Sequence, residues 1–261
     1  MVDLRLILQD KNILTYDTHG VSVAQVSTMY DGFRIAREAL SAVVDKTTVL
    51  YLSGGKTPKD LYTNLANDKK VLPGAVALVD ERYGVKGHNT SNEKMIEETG
   101  LLPYLKEHGV PFYPILQEQQ LGLKETADNY DMTVRYLFAG FPKSVATLGI
   151  GLDGHTAGIA GNRSNMANTQ TGFVNPMFSD SEKNMLVSSY SDLQGMFKER
   201  ISLTFLGLSM IDVFLVLVFG EDKKEALQKT FSEGSEEEVP ARFLLRPEIA
   251  RRTLLITDQK V

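Results

Sequence analysis

The sequence predicts an α/β fold, a Rossmann-like, mostly parallel sheet with helices on both faces, and three observations carry that prediction. Short, continuously apolar runs recur along the chain, TTVLYLS, AVALVD, SVATLGIG, DVFLVLVFG and RTLLIT, and strands apolar on both sides belong in a sheet covered on each face. Between them lie segments whose apolar residues recur at steps of three and four, the helical period, and such alternation is the mark of parallel strands joined by crossover helices. Glycines and charged residues gather directly after several of the runs, where an open α/β sheet binds its ligands.

The chain opens with LRLILQ and ILTYDT around the turn-like Asp10-Lys11-Asn12, which predicts a hairpin outside the main repeat. From about Val21 to Val44 the spacing of Val26, Met29, Phe33, Ala36, Leu40 and Val43 predicts a helix packed on the sheet. TTVLYLS reads as a strand, followed by a helix after Pro58, the strand AVALVD, a helix from about Asn92, a long helix near Leu123 to Phe138, and the strand SVATLGIG. NMLVSSY, RISLTFL, DVFLVLVFG and RTLLIT supply four further strands, with a helix from about Asp222 to Phe231. The stretch GNRSNMANTQTG, residues 161 to 172, is expected to be a mobile loop, and the acidic SEGSEEE a solvated surface turn. With no internal repeat and no linker, residues 1–261 are expected to form one α/β domain.

Composition narrows the function. A chain of 261 residues, 43% hydrophobic and 23% charged, is long enough to bury a large core. It has no cysteine, which excludes disulfides, thiolate metal sites and cysteine nucleophiles. The first residues carry two acids and lack the apolar core of a signal peptide, and no stretch reaches the length of a membrane span, so a cytoplasmic protein is expected. The net charge of −5 argues against non-specific nucleic-acid binding, whereas a few fixed cations can still make one cleft attract a small anion. No His-x-x-x-His or similar spacing occurs, so no metal is expected.

Four segments carry the chemistry. In YLSGGKTPKDLY, Ser53, Gly54 and Gly55 follow a strand and Pro58 suits a helix start; Gly54, Gly55 and Thr57 could contact an anion through free N–H groups, or the segment is a plain strand–helix turn. A phosphate loop of the Walker type is excluded, because Leu50 stands where it needs a glycine. In VALVDERYGVKGHNTSN, Asp80, Glu81 and Arg82 stand side by side; solvation at the surface is one reading, since three adjacent charges are costly to bury, and a bidentate anion clamp by Arg82 is the other. Ser91 and Asn92 read first as helix caps.

The third segment, SVATLGIGLDGHTAGIAGN, contains Gly149, Gly151 and Gly154 in the G-x-G-x-x-G pattern, but no helix follows the last glycine, so a dinucleotide site is not the reading. What remains is a glycine-framed Asp153 and His155 at the mouth of the sheet, a histidine that exchanges protons near neutral pH beside a carboxylate able to orient it. In the fourth, ERISLTFLG and VFGEDKKEALQKTF, Arg200 precedes a strand and Lys223 follows Gly220, either as a solvated lysine or as an anion contact. His19, His88 and His108 lack such framing and read as structural or surface residues.

SGGKTP, DERYGVKGHNTSN, GIGLDGHTAG, ERISLT and GEDKKEAL, in that order over about residues 20 to 257, resemble the 6-phosphogluconolactonase family, which belongs with the glucosamine-6-phosphate deaminases. The resemblance implies the fold shared by those deaminases and ribose-5-phosphate isomerase. It also implies hydrolysis of 6-phosphoglucono-1,5-lactone to 6-phosphogluconate in the pentose phosphate pathway, with a phosphorylated sugar lactone as partner and no cofactor. On this basis His155 is the general acid/base, and Asp153 orients it or holds a substrate hydroxyl. Gly54, Gly55, Thr57, Asp80, Arg82, Arg200 and Lys223 would bind substrate and phosphate. The sequence departs from the family at Gly158, Ile159, Ala160 and Gly161, where lactonases resemble Ser-Leu-Phe-Pro, and at Gly84 and Val85. The deaminases carry a glutamate where this chain has Ala160. A deaminase or isomerase of amino-sugar phosphates and a non-catalytic sugar-phosphate binder are the alternatives.

Overall fold

The computed structural model describes residues 13–163, 172–179, 184–193 and 195–261. The strands among them are β1 (Leu14–Thr18), β2 (Val21–Gln25), β3 (Thr48–Leu52), β4 (Ala75–Leu78), β5 (Asp80–Arg82), β6 (Phe112–Tyr113), β7 (Lys143–Gly149), β8 (Val187–Ser191), β9 (Glu199–Leu203), β10 (Val213–Val218) and β11 (Thr253–Thr257). The helices are α1 (Met29–Val43), α2 (Lys56–Asp68), α3 (Asn92–Glu98), α4 (Leu101–Glu107), α5 (Leu123–Gly140), α6 (Phe205–Ser209), α7 (Lys224–Phe231) and α8 (Pro247–Ala250).

Eight strands form one sheet in the order β1-β2-β11-β10-β7-β3-β4-β6, parallel throughout except for the β1–β2 edge. The apolar runs lie where such a sheet needs them: every residue of β3, β4 and β11 is buried. The buried apolar residues of these strands join one core cluster with Phe33, Ile35, Ala36 and Leu40 of α1, Leu61 and Leu65 of α2, and Val134 and Leu137 of α5. A mixed α/β fold with a mostly parallel sheet is therefore what the sequence forms.

Residues 21–25 correct the expected helix from Val21. They form β2, paired parallel to β11 with Val23 opposite Leu255, and α1 starts only at Met29, capped by the Thr28 hydroxyl, which accepts from the Asp31 N–H at 3.1 Å. The apolar spacing from Val26 onward fits a helix, but Val21, Val23 and Ala24 fit either period. An open strand edge beside β11 decided in favour of the β-branched pair. ILTYDT supplies β1, which turns through His19 and Gly20 into β2 and is part of the main sheet; LRLILQ and the turn at Asp10-Lys11-Asn12, the other half of the expected hairpin, lie outside the described residues. So does most of the loop expected at 161–172.

The chain runs β3, β4, β6 toward one edge and β7, β10, β11 toward the other. β3 and β7 are adjacent and parallel, so the direction of travel reverses between them, and the crevice above their carboxyl ends is where this architecture takes ligands. Buried Tyr62 of α2 bridges those two ends, its hydroxyl donating to the Ser53 carbonyl at 2.8 Å and lying 2.7 Å from the Thr147 hydroxyl.

A second, antiparallel sheet, β5-β9-β8, grows out of the first at Val79. The Val79 N–H donates to Leu52 in β3 and its carbonyl accepts from Leu203 in β9, both at 2.9 Å. Asp80, Glu81 and Arg82 are thereby carried off the end of β4 into a different sheet, which brings them opposite Ser202, Ile201 and Arg200.

Candidate active site

The loop after β7 places His155 at the crevice. Gly151 donates to the His155 carbonyl at 2.8 Å and Gly154 to the Gly151 carbonyl at 3.0 Å, closing a tight turn. Gly154 adopts φ 82°, a conformation that suits glycine, and a Cβ there would also strike Val239. The Thr156 hydroxyl donates to the Gly149 carbonyl at 2.9 Å, pinning the far side of the turn to the strand end.

This fold of the backbone brings the Asp153 carboxylate 2.5 Å from His155 Nδ1. Partial burial works against the Asp153 charge, but the hydrogen bonds and positive charge offered by His155 outweigh it and hold the carboxyl well below its usual range. With Asp153 a carboxylate, Nδ1 carries the proton it donates, and Nε2 is left as the basic nitrogen. The histidine side chain is 38% exposed, so water and substrate can reach it. Lys223, at the end of the 3-10 turn Glu221–Lys223, reaches over from β10 and donates to the Ile150 carbonyl at 2.8 Å. Burial lowers its ammonium pKa, opposed by the charges of Asp222 and Asp153.

Across the crevice, Gly55 is the N-cap of α2 and no side chain caps that helix; the helix starts at Lys56, two residues before Pro58. Its first N–H groups, including that of Thr57, have no partner within the helix, which favours negative charge there. Gly54 lies so close to Asn92 that any Cβ would collide with its amide.

The Asp80-Glu81-Arg82 triplet does not sit solvated at the surface, contrary to the simplest electrostatic expectation. Asp80 is 5% and Glu81 0% exposed. Glu81 is sustained there by four donors, the N–H groups of Arg82, Asn92 and Glu93 at 2.7, 2.7 and 2.9 Å and the Ser91 hydroxyl at 2.8 Å. It therefore satisfies the start of α3, where Ser91 is the N-cap, and three of its four donors belong to that helix end. Burial nevertheless raises the Glu81 pKa against those hydrogen bonds. Asn92 donates to the Asp80 carbonyl at 2.8 Å and to its carboxylate at 3.2 Å. His88 lies 2.9 Å from the Arg82 carbonyl, the structural role expected of it.

Arg82 and Arg200 are directly opposed in the β5–β9 pair, an arrangement that is unfavourable for two like charges unless something offsets it. Among the described residues neither forms an ion pair with a carboxylate. Arg82 Nη1 donates to the Thr90 carbonyl at 2.7 Å, and its Nε is buried without a partner.

The altered segment after Ala157 is also accommodated. Ala157 and Gly158 take φ 52° and 71°, and a Cβ at Gly158 would meet the Asp80 side chain, so the wall closes directly on Asp80. The buried Tyr190 hydroxyl donates to the Gly158 carbonyl at 2.6 Å and accepts from the Ala160 N–H at 3.2 Å. The acidic SEGSEEE turn is largely exposed, as expected, and it also braces this loop. Asn162 donates its N–H to the Glu237 carbonyl at 2.6 Å, and just beyond the turn the Ala241 N–H donates to the Gly154 carbonyl at 3.0 Å.

The structure thus brings Asp153, His155 and Lys223 together on one side of the crevice, Asp80 and Gly54 together through Asn92, and Arg82 beside Arg200. Sequence reasoning missed Glu81 as a buried cap, Tyr190 and Asn92 as wall residues, and Val79 as the junction of the sheets. The pairing of Ser91 as cap with an acid ten residues earlier is a signal only once the β4–β5 bend is known.

The family described as glucosamine-6-phosphate isomerases/6-phosphogluconolactonase matches residues 31–254. A 6-phosphogluconolactonase of Rhizobium meliloti is 28% identical over 81% of this chain and 85% of its own length. One from Synechocystis is 29% identical over 74% of this chain and 75% of its own. The solved 6-phosphogluconolactonase from Plasmodium vivax superposes with a TM-score of 0.73 at 20% identity, covering 100% of this chain and 97% of its own. That from Thermotoga maritima gives 0.66 at 22% identity over 90% and 97%. These structures share the fold.

Proposed function

The chain belongs to the glucosamine-6-phosphate isomerase and 6-phosphogluconolactonase family, and from that premise we propose that it hydrolyses 6-phosphoglucono-1,5-lactone to 6-phosphogluconate, with His155 as the general acid/base. The observation that carries this reading is the His155–Asp153 pair, open to the crevice at the switch point of the sheet.

Lactone hydrolysis needs a base for water, stabilisation of a carbonyl oxygen as it gains charge, and an acid for the departing ring oxygen. His155 Nε2 accepts a proton from water as the water oxygen bonds to the ring carbonyl carbon. Collapse of the tetrahedral intermediate breaks the bond from that carbon to the ring oxygen, and the same proton passes to it, so one histidine serves both steps. Asp153 holds the tautomer and stabilises the imidazolium between them. General acid–base catalysis of this kind contributes about 100- to 10,000-fold, and N–H groups around Gly54 and Gly55 offer donors to the oxyanion.

Arg82 and Arg200, whose guanidiniums have no carboxylate partner among the described residues, would hold the phosphate, with Thr57 and Lys223 as further donors. Asp80, tied to Asn92, faces the Gly158 wall and would hold a substrate hydroxyl. Ala160, whose N–H and carbonyl are both engaged by Tyr190 and Asn175, offers no carboxylate to assist a deamination. Residues from Gly54 to Lys223 contribute, which supports reading residues 1–261 as one working unit, and a cytoplasmic metabolic enzyme fits this activity. Among the described residues no helix is long and apolar enough to cross a membrane.

The test is acid release from freshly generated 6-phosphoglucono-δ-lactone against its spontaneous background, beside unphosphorylated gluconolactone. Acceleration confined to the phosphorylated lactone is expected. Ammonia release from glucosamine-6-phosphate without lactone hydrolysis would overturn the proposal, as would tight sugar-phosphate binding without turnover.

A further inference from the structure

We infer that Phe197 is the positioning residue that holds Arg82 and Arg200 side by side as a two-pronged phosphate clamp, and so sets the preference for a phosphorylated over an unphosphorylated substrate. The inference rests on the lactonase reading for its substrate but on separate observations for its geometry. Arg82 Cζ lies 4.3 Å and Arg200 Cζ 5.2 Å from the centroid of the one Phe197 ring, both within the range where a ring face attracts a cation. The two arginines are cross-strand partners, so they enter this corner already facing each other as like charges, and the ring is a shared attraction that offsets part of their repulsion.

A carboxylate could also hold two arginines together, but it would occupy their N–H edges and cancel their charge. The ring attracts the two cations without accepting their N–H groups, so it leaves those donors and their charge available to an anion. Of those donors, Arg82 Nη1 is committed to the Thr90 carbonyl, so that guanidinium is held by one hydrogen bond and by its contact with the Phe197 ring. Phe197 in turn is carried on a short return between β8 and β9 that is closed by Asp192, whose N–H donates to the Lys198 carbonyl at 2.6 Å and whose carboxylate accepts from the Gly195 N–H at 3.0 Å and pairs with Arg163 at 2.5 Å. Arg82 and the return that carries Phe197 are therefore each anchored, and the ring is where the two arginines meet.

The experiment compares wild type with Phe197→Leu, Phe197→Ala and Phe197→Tyr, reading KM and kcat for 6-phosphoglucono-δ-lactone and the inhibition constant of inorganic phosphate. Leucine keeps an apolar side chain of similar bulk and removes the π face; tyrosine keeps the face. Loss of two cation–π contacts is expected to raise KM and the phosphate inhibition constant about tenfold in both Leu and Ala variants, with kcat changed less than about twofold, and Tyr is expected to restore both constants. A merely structural role would make Leu behave as wild type, and that result overturns the inference, as does a fall in kcat at constant KM. Phosphate binding measured by calorimetry on the same four proteins separates the two ideas. If wild type hydrolyses no lactone yet Leu still weakens phosphate about tenfold, the lactonase reading fails and the clamp stands; equal phosphate affinity in all four proteins sinks the clamp alone.

Discussion

Two corners of this protein each begin with an aspartate at a strand end, and they use it in opposite ways. After β7, Asp153 meets one histidine and little else, and the pair stays open to the crevice. After β4, Asp80 and its neighbour Glu81 are buried, and Glu81 accepts from four donors that belong to its own backbone junction and to the start of α3. The first corner keeps a proton-transfer group free; the second commits its hydrogen bonds to holding backbone in place. A charge is available for chemistry where its partners are few and exposed, and structural where they are many and buried.

The sharpest test of that contrast is to remove one group from each corner and read both turnover and stability. His155→Ala is expected to lower kcat about 100- to 10,000-fold while its urea midpoint stays close to the wild-type value, because the partly exposed side chain lies outside the hydrophobic core. Loss of the urea midpoint in that variant would erase the distinction. Glu81→Ala is expected to cost about 3 kcal/mol in urea denaturation, since four donors around a buried acceptor are left unsatisfied. A Glu81→Ala protein with full stability and no turnover would move Glu81 into the first class.

Within the open corner, Asp153→Asn is expected to lower kcat by about tenfold or more, because the amide can offer its N–H to Nδ1 and favour the wrong tautomer; unchanged kcat would mean that His155 needs no orienting partner. Where the two corners touch, Gly158→Ala is expected to destabilise by about 1–2 kcal/mol in thermal or urea unfolding, since φ is 71° and the new Cβ meets Asp80. A neutral result would show that the wall can step back.

The smallest effect is electrostatic. Glu93, one residue along α3 from Asn92, is pushed up to about 7, chiefly by burial, with Lys86 opposing and Glu81 and Glu97 adding to the rise. A carboxyl whose folded pKa is raised binds its proton more tightly folded than unfolded. Its contribution is therefore fully present below its ordinary value near 4.5 and is lost as pH rises through about 7. Glu93→Gln is expected to flatten the fall in stability between those limits by about 1 kcal/mol, allowing for solvent screening and the Lys86 pair; parallel urea midpoints against pH in variant and wild type would refute it.

Much of this contrast is legible in the sequence. The runs TTVLYLS, AVALVD, SVATLGIG, DVFLVLVFG and RTLLIT read as buried parallel strands because they are short, apolar throughout and separated by segments of helical period. The turn GLDGHTAG announced a histidine at a strand end, since glycines at 151 and 154 and an acid at 153 leave no room for a helix. Val21–Gln25 was misread because its apolar positions fit two periods and only a vacant edge beside β11 could choose between them.

Whether a neighbouring charge is reactive, buried or clamping depends on partners distant in sequence, and those were supplied by tertiary structure. The bend at Val79 sends Asp80–Arg82 into a second sheet, and that single change of partner strand buries Glu81 and sets Arg82 opposite Arg200 beside Phe197. By itself the sequence determined which segments are strands and which residues can carry chemistry, because those follow from local pattern and side-chain type. Only the tertiary structure decided which of those residues face one another, because the β4–β5 bend turns Asn92 toward Asp80 and the β5–β9 pairing joins residues more than a hundred positions apart.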